Sequence, residues 1–164
     1  CRRCGPAARR SPCSITMTPD DLARVHAAAF TQSRPWTAKE FASLLDSTGV
    51  ILLGDVRSFL LGRLIAGEAE VLTIATDPDF HRQGHAQRNL ATFLDDLRRQ
   101  QATSVFLEVA EDNIAAKTLY ENNSFENVGM RPKYYARPDG HAVAALVLRR
   151  TLIADHSANG LIKN

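Results

Sequence analysis

Two short stretches of this sequence bring together side chains able to do chemistry. The first, His81-Arg82-Gln83-Gly84-His85-Ala86-Gln87-Arg88, follows an apolar run and opens a helical pattern. His81 and His85 have the spacing of two ligands on one helical face. However, Arg82 stands where a zinc protease carries a Glu directly after its first His, and a cation there disfavours a metal. No metal is expected. A chain that leaves a strand and enters a helix at Gly84 points several unpaired N–H groups and the positive end of the helix dipole into one small space. Glycine lets a phosphate approach the backbone, and Arg82 and Arg88 add positive charge nearby. On these residues alone the stretch suits either a phosphate group held by the backbone or a simple tight turn at Gly84.

The second stretch runs from Ser104 to Tyr120. In Ser104-Val105-Phe106-Leu107-Glu108-Val109, alternation puts Ser104, Phe106 and Glu108 on one strand face. A carboxylate beside Phe106 near the end of an apolar strand is partly desolvated, the setting in which it can accept a proton near neutrality. A rim salt bridge is the other reading of Glu108. Asn113 suits the N-cap of a helix starting at Ile114, and Tyr120 has helical spacing from Ala116, as a core aromatic would.

The elements that must position these groups can be read from caps and periodicity. Ser14 to Met17 suit a short strand. Thr18 as N-cap, Pro19 at the first helical position and acids behind them predict a helix through about Phe30. Thr37 and Glu40 form a capping box for a second helix, which Gly49 stops. The runs VILLGD, SFLLGRLIAG and EVLTIAT over residues 50 to 76 predict an antiparallel meander. Ala86, Leu90, Phe93, Leu94 and Leu97 predict a helix from Gly84 that RRQQ closes. A strand (TSVFLEV), a short helix (IAAKTLYENN), a loop (RPKYYARPDG) and a last strand (AVAALVLRR) complete the order β, α, α, β, β, β, α, β, α, β. Strand, helix and strand across residues 70 to 109 require a parallel crossover. The expected class is α/β, with a mixed, mostly antiparallel sheet and helices on its faces.

Composition narrows the function. The chain has 164 residues, 45% hydrophobic and 23% charged, which suits one ordinary globular domain. Its apolar runs are too short to span a membrane. Arg2, Arg3, Arg9 and Arg10 account for four of the 20 basic residues, leaving 16 against 18 acidic ones in the body. A slightly acidic body gives no electrostatic reason to expect nucleic acid. Cys1, Cys4 and Cys13 all fall in the same tail, with no His near them, and the body lacks cysteine. That pattern suits a reducing cytosol, and no secretory signal is read in the tail, so a cytoplasmic protein is expected. The expected organisation is a flexible basic extension over 1–13, a domain over 14–151 and a tail over 152–164. Oligomeric state is left open.

The segment IATDPDFHRQGHAQRNLATFL resembles the acetyl-CoA-binding segment of the GCN5-related N-acetyltransferases: a strand, a Q/R-x-x-G-x-G/A loop and a helix in that order. VFLEVAEDNIAAKTLYENNSF, PWTAKEF and RPKYYARPDG are similar to segments of that family's ribosomal-protein-alanine branch. The likeness covers roughly residues 14 to 149.

The resemblance implies the GNAT fold, with a splayed parallel strand pair holding acetyl-CoA as co-substrate. Backbone of Ile74, Ala75 and Thr76 would pair with the pantetheine arm. N–H groups of Arg82, Gln83, Gly84, His85, Ala86 and Gln87 would take the pyrophosphate, and Asn113 would hydrogen-bond the arm. Glu108 would serve as general base through water, Tyr120 as acid toward the thiolate, and Trp36, Tyr134 and Tyr135 as walls of an acceptor groove, unless these three only pack. His81 replaces the usual Gln or Arg of the loop, a departure that removes one side-chain contact to the cofactor unless the His ring N–H donates to a phosphate in its place. Asn123-Ser124 replaces a pair that commonly ends in Gly, so Asn123 is expected to take the positive φ.

The implied acceptor is a protein N-terminal amine, of a ribosomal protein in that branch. An α-amine, with an ordinary pKa of about 7.7–8.0, costs roughly 1 kcal/mol to neutralise at pH 7, against about 4–5 for a lysine. A small-molecule amine acetyltransferase and a non-catalytic acyl-CoA-binding module are the other readings. An open groove between the Trp36 and Tyr134 segments favours the peptide, and a closed pocket the small molecule.

Overall fold

A computed structural model describes residues 17–152. Its elements are α1 (Pro19–Ala29), α2 (Ala38–Leu45), β1 (Val50–Asp55), β2 (Ser58–Ile65), β3 (Glu68–Thr76), a 3-10 turn (Pro78–Phe80), α3 (His85–Arg99), β4 (Ser104–Ala110), α4 (Ile114–Asn122), β5 (Glu126–Ala136) and β6 (Ala142–Thr151). The expected strand over Ser14 to Met17 lies outside the described residues except for Met17, which is not in a strand. The expected extension, and the tail apart from Leu152, also lie outside them.

The six strands form one sheet in the order β1-β2-β3-β4-β6-β5, antiparallel except for β3 against β4. The expected mixed sheet and meander are present. Thr18 caps α1 and the Thr37–Glu40 box closes on α2 as read, and the structure adds a second box, Thr18 with Asp21. One element departs from the sequence reading: the loop RPKYYARPDG mostly belongs to β5. This strand lies at the sheet edge and most of its residues are exposed, so no alternating apolar pattern marks it. It also bulges, since three residues, Pro132 to Tyr134, separate partners Arg131 and Tyr135 where β6 has only Ala144. Pro132 loses no ladder bond at such a bulge.

Helices cover both faces. Leu60 of β2 joins Leu90, Phe93, Leu94 and Leu97 of α3 and Tyr120 of α4 in one core. Its neighbours Phe59 and Leu61 point the other way, toward Leu22 and Val25 of α1 and Phe41 of α2. Phe93 presses so closely on β2 that a Cβ added at Gly62 would stand 2.4 Å from its ring. Only glycine admits that approach.

Two features of β3 shape the centre of the sheet. Leu61 pairs with Thr73 and Gly62 with Val71, so Leu72 is an extra residue, a β-bulge that shifts the alternation. As a result Ala69 and Val71 join one core while Ala75 joins the other. In addition, β3 pairs with β4 only at Glu68–Ser104, Ala69–Val105 and Glu70–Phe106. Beyond these rungs β3 runs on to Thr76 and β4 to Ala110 without pairing to each other, so the sheet splits down its middle.

Candidate active site

The split leads directly to the loop before α3. Gly84 (φ 75°) and Arg82 (φ 59°) both take left-handed backbone conformations. Left-handed steps within a loop turn successive N–H groups toward one side, the arrangement that makes anion-binding concavities. Thr18, Thr37 and Asn113 cap α1, α2 and α4 with a side chain, whereas α3 has no side-chain cap and no acid in its first turn. Among the described residues, none of the N–H groups from Arg82 to Gln87 donates to an acceptor. Arg88 folds back beneath the loop: Nη1 donates to the Gln83 carbonyl (3.0 Å), and Nη2 lies 3.0 Å from His85 Nδ1. Its guanidinium thus braces the loop from within. The donor row suits a phosphate-bearing group, and the split beside it leaves the β4-facing edge of β3 at Ile74, Ala75 and Thr76 unpaired.

His81 makes its contact within the chain. Its Nε2 lies 3.2 Å from the Thr76 carbonyl, and because a carbonyl can only accept, the ring N–H is spent there. The ring fastens the loop to the end of β3.

Glu108 and Tyr120 approach the split from β4 and α4. The Glu108 side chain is 24% exposed, and its Oε1 lies 2.8 Å from Nε of Arg131 on β5. The salt bridge left open by the sequence is therefore formed. Arg131 lay in the segment read as a loop, and it reaches Glu108 across β6, a relation without any local signal. Tyr120 is 7% exposed and packs edge-on against Phe125. Burial, reinforced by Tyr135, pushes its phenol well above the ordinary value. It therefore stays protonated, as a proton donor must. Burial and the Glu108 charge likewise raise Tyr135. Asn113 is the N-cap of α4, accepting from Ala116 N–H (3.1 Å), and its amide NH2 remains a possible donor to a ligand.

The predicted acceptor residues lie on two linked segments. Tyr134 and Tyr135 pack edge to face at 5.0 Å, with Arg131 over the first and Arg137 over the second. Trp36 stacks on His26 at 5.0 Å and its backbone N–H donates to His26 Nδ1 (3.2 Å). It lines a depression of about 430 Å³ with Thr37, Lys39, Glu40, Ser43 and Leu44, to which neither tyrosine contributes. Trp36 is thus largely a packing group. Arg137, missed from the sequence, joins the segments: it grips the Asp112 carboxylate with Nε (2.9 Å) and Nη2, and donates from Nη1 to the Gln32 carbonyl (3.3 Å).

Asn123 also departs from expectation. Its φ is −103°, and Ser124 takes the left-handed step at 61°. The reason lies in its side chain. Nδ2 donates to the Leu119 carbonyl (2.7 Å) and to Gln87 Oε1 (2.8 Å), and Gln87 Nε2 donates to Asn123 Oδ1 (3.1 Å). These bonds hold Asn123 near the helix and defer the reversal by one residue.

The family model described as "Acetyltransferase (GNAT) family" matches residues 19–125. The [ribosomal protein bS18]-alanine N-acetyltransferase of Escherichia coli is 31% identical over 134 residues, covering 79% of this chain and 90% of that protein. The N-alpha-acetyltransferase RimI of Mycobacterium tuberculosis is 35% identical over 122 residues, covering 69% and 75%. The crystal structure of the E. coli ribosomal-protein-S18-alanine N-acetyltransferase superposes with a TM-score of 0.76 at 26% identity, covering 87% of this chain and 93% of that one. The Arabidopsis thaliana NAA60 structure in complex with acetyl-CoA has a TM-score of 0.68 at 14% identity, a likeness of fold, covering 83% and 96%.

Proposed function

The chain belongs to the GNAT acetyltransferase family and is an acetyl-CoA-dependent acetyltransferase, and from that premise we propose that its acceptor is the N-terminal α-amine of a protein or peptide. The observation that carries this is the openness of the acceptor side. Glu108 and Arg131 keep 24% and 60% of their side-chain surface exposed, and Tyr134 keeps 51%. An open face admits the end of a polypeptide. The relatives acting on the alanine of a ribosomal protein point to a ribosomal protein as the partner, met in the cytoplasm.

Acetyl-CoA, when bound, supplies the acetyl group as a thioester. The N–H groups from Arg82 to Gln87 hold its diphosphate, the free edge of β3 at Ile74, Ala75 and Thr76 pairs with the arm, and Asn113 Nδ2 donates to it. Glu108, acting through water, takes the proton released as the amine nitrogen bonds to the acetyl carbon. Arg131 must yield part of its hold for this, and its 60% exposure leaves it room to swing outward. Tyr120 gives its proton to the sulfur as the carbon–sulfur bond breaks. Tyr134 and Tyr135 flank the incoming chain.

The test is thiol release from acetyl-CoA at several pH values, with peptides bearing free or blocked N-termini, polyamines and aminoglycosides, for wild type and Glu108→Gln. Turnover confined to free peptide N-termini, and lost or moved to higher pH in the variant, is the expected result. Turnover of polyamines or aminoglycosides alone would replace the acceptor assignment, and an unchanged Glu108→Gln profile would remove the base.

A further inference from the structure

The two halves of the proposed chemistry stand on different helices. The diphosphate loop is the start of α3, and Tyr120 lies in the last turns of α4. Between these helix ends is the reciprocal amide pair of Gln87 and Asn123, two hydrogen bonds joining residues 36 apart. Asn123 is held from two more sides. Its Nδ2 donates to Leu119 O (2.7 Å), and its own carbonyl accepts from Arg150 Nη1 of β6 (2.6 Å). Leu119 is the residue before Tyr120, and the Tyr120 carbonyl accepts from Phe125 N–H just past the turn. Any shift of Asn123 is passed to the turn that aims the phenol.

We propose that Gln87 and Asn123 are a positioning pair that fixes the distance between the diphosphate loop and Tyr120, so that a thioester anchored at α3 meets its proton donor. The proposal rests on the acid role given to Tyr120 above. The chemical reason is geometric. Proton transfer to sulfur needs hydrogen-bond reach, and a misplacement of about 1 Å can cost on the order of 100-fold in rate. An exposed Gln–Asn pair would add little to stability if it served only the surface. Here it closes the gap between the two helix ends that the reaction must keep in register.

The test compares wild type, Gln87→Met, Tyr120→Phe and the double variant, measuring kcat and the KM for acetyl-CoA with the free-N-terminus peptide that turns over fastest. Gln87 is exposed, and Met keeps its length without its amide, so the fold is retained; thermal midpoints check this. The expected result is a kcat about 10-fold lower for Gln87→Met with KM changed less than about 2-fold, and a double variant no slower than Tyr120→Phe. A merely structural pair would not vanish in the Tyr120→Phe background. Losses that multiply in the double variant, or a Gln87→Met kcat at the wild-type level while Tyr120→Phe is slow, overturn the pair's role and leave the acid standing. Tyr120→Phe at the wild-type kcat overturns the acid, and the pair's role with it.

Discussion

Acidification should loosen this protein at one histidine well before its carboxylates begin to matter. His26 is 3% exposed and lies between the rings of Phe30 (4.3 Å) and Trp36 (5.0 Å), and its Nδ1 accepts from the Trp36 backbone. Burial lowers it from 6.5 to about 4, with the nearby Glu40 carboxylate opposing the shift. The unfolded chain therefore takes up a proton near pH 6.5 that the folded chain refuses until about 4. This stabilisation is complete above pH 6.5, falls away between 6.5 and 4, and is constant below. From pH 7.5 to 5.0 the two values give a loss of about 2 kcal/mol. Glu40 and Asp55, both held at about 2, withdraw their support only below roughly pH 4.5. Urea unfolding followed by the fluorescence of Trp36, the chain's one tryptophan, reads the effect at its source. His26→Phe removes the titration and leaves the Trp36 N–H unpaired, so it should start about 1 kcal/mol or more below wild type at pH 7.5 and then change little down to pH 5.0. Equal pH slopes for the two proteins would refute the reasoning.

Other substitutions probe the framework of the site. Ser124→Gly should raise stability by about 0.5–1 kcal/mol in urea titrations, because a left-handed non-glycine residue costs about 1–2 kcal/mol and the added freedom of the unfolded chain offsets only part of that. Gly62→Ala drives a methyl into the fully buried Phe93 ring and should cost about 1–3 kcal/mol, visible as a thermal midpoint lower by several degrees. Arg137→Ala breaks charge-assisted bonds to Asp112 and should cost about 2 kcal/mol. It should also raise the KM for the acceptor peptide while leaving that for acetyl-CoA unchanged. Arg137→Lys should recover less than half of the lost stability, since one ammonium cannot reproduce a bidentate grip.

Local physics explains which parts of the fold were legible in the sequence. The first two helices carried their own start signals, and the cap at Thr18 and the box at Thr37 formed as read. Strands β1 to β4 announced themselves by apolar runs, including the edge strand β1, whose residues are mostly half-buried. The edge strand β5 did not, because a strand with one neighbour and little burial carries no period. In the site, the donor loop could be read because its chemistry is backbone chemistry, set by Gly84 and by a helix start without a cap. Glu108 and Tyr120 were legible as positions, whereas their surroundings were not. Arg131 and Arg137 act at residues distant in sequence, so only the sheet order reveals them. The contact of His81 was not legible, because its acceptor, the Thr76 carbonyl, comes within reach only when the 3-10 turn folds the chain back.

The last strand of the described residues, β6, is also the one that lies between β4 and β5. Ser104 pairs with Thr151 and Ala110 with Ala145, so β4 cannot find its antiparallel neighbour until nearly all the described chain has left the ribosome. Pairings so distant in sequence are slow to form. During synthesis the loop before α3 can take shape early, whereas Glu108 meets Arg131, and Tyr135 gains its support, only after β6 docks. A nascent chain ending before residue 142 would thus carry the loop before α3 without the Glu108–Arg131 pair, with Val105, Leu107 and Val109 lying along an unpaired edge, the kind of surface on which aggregation starts.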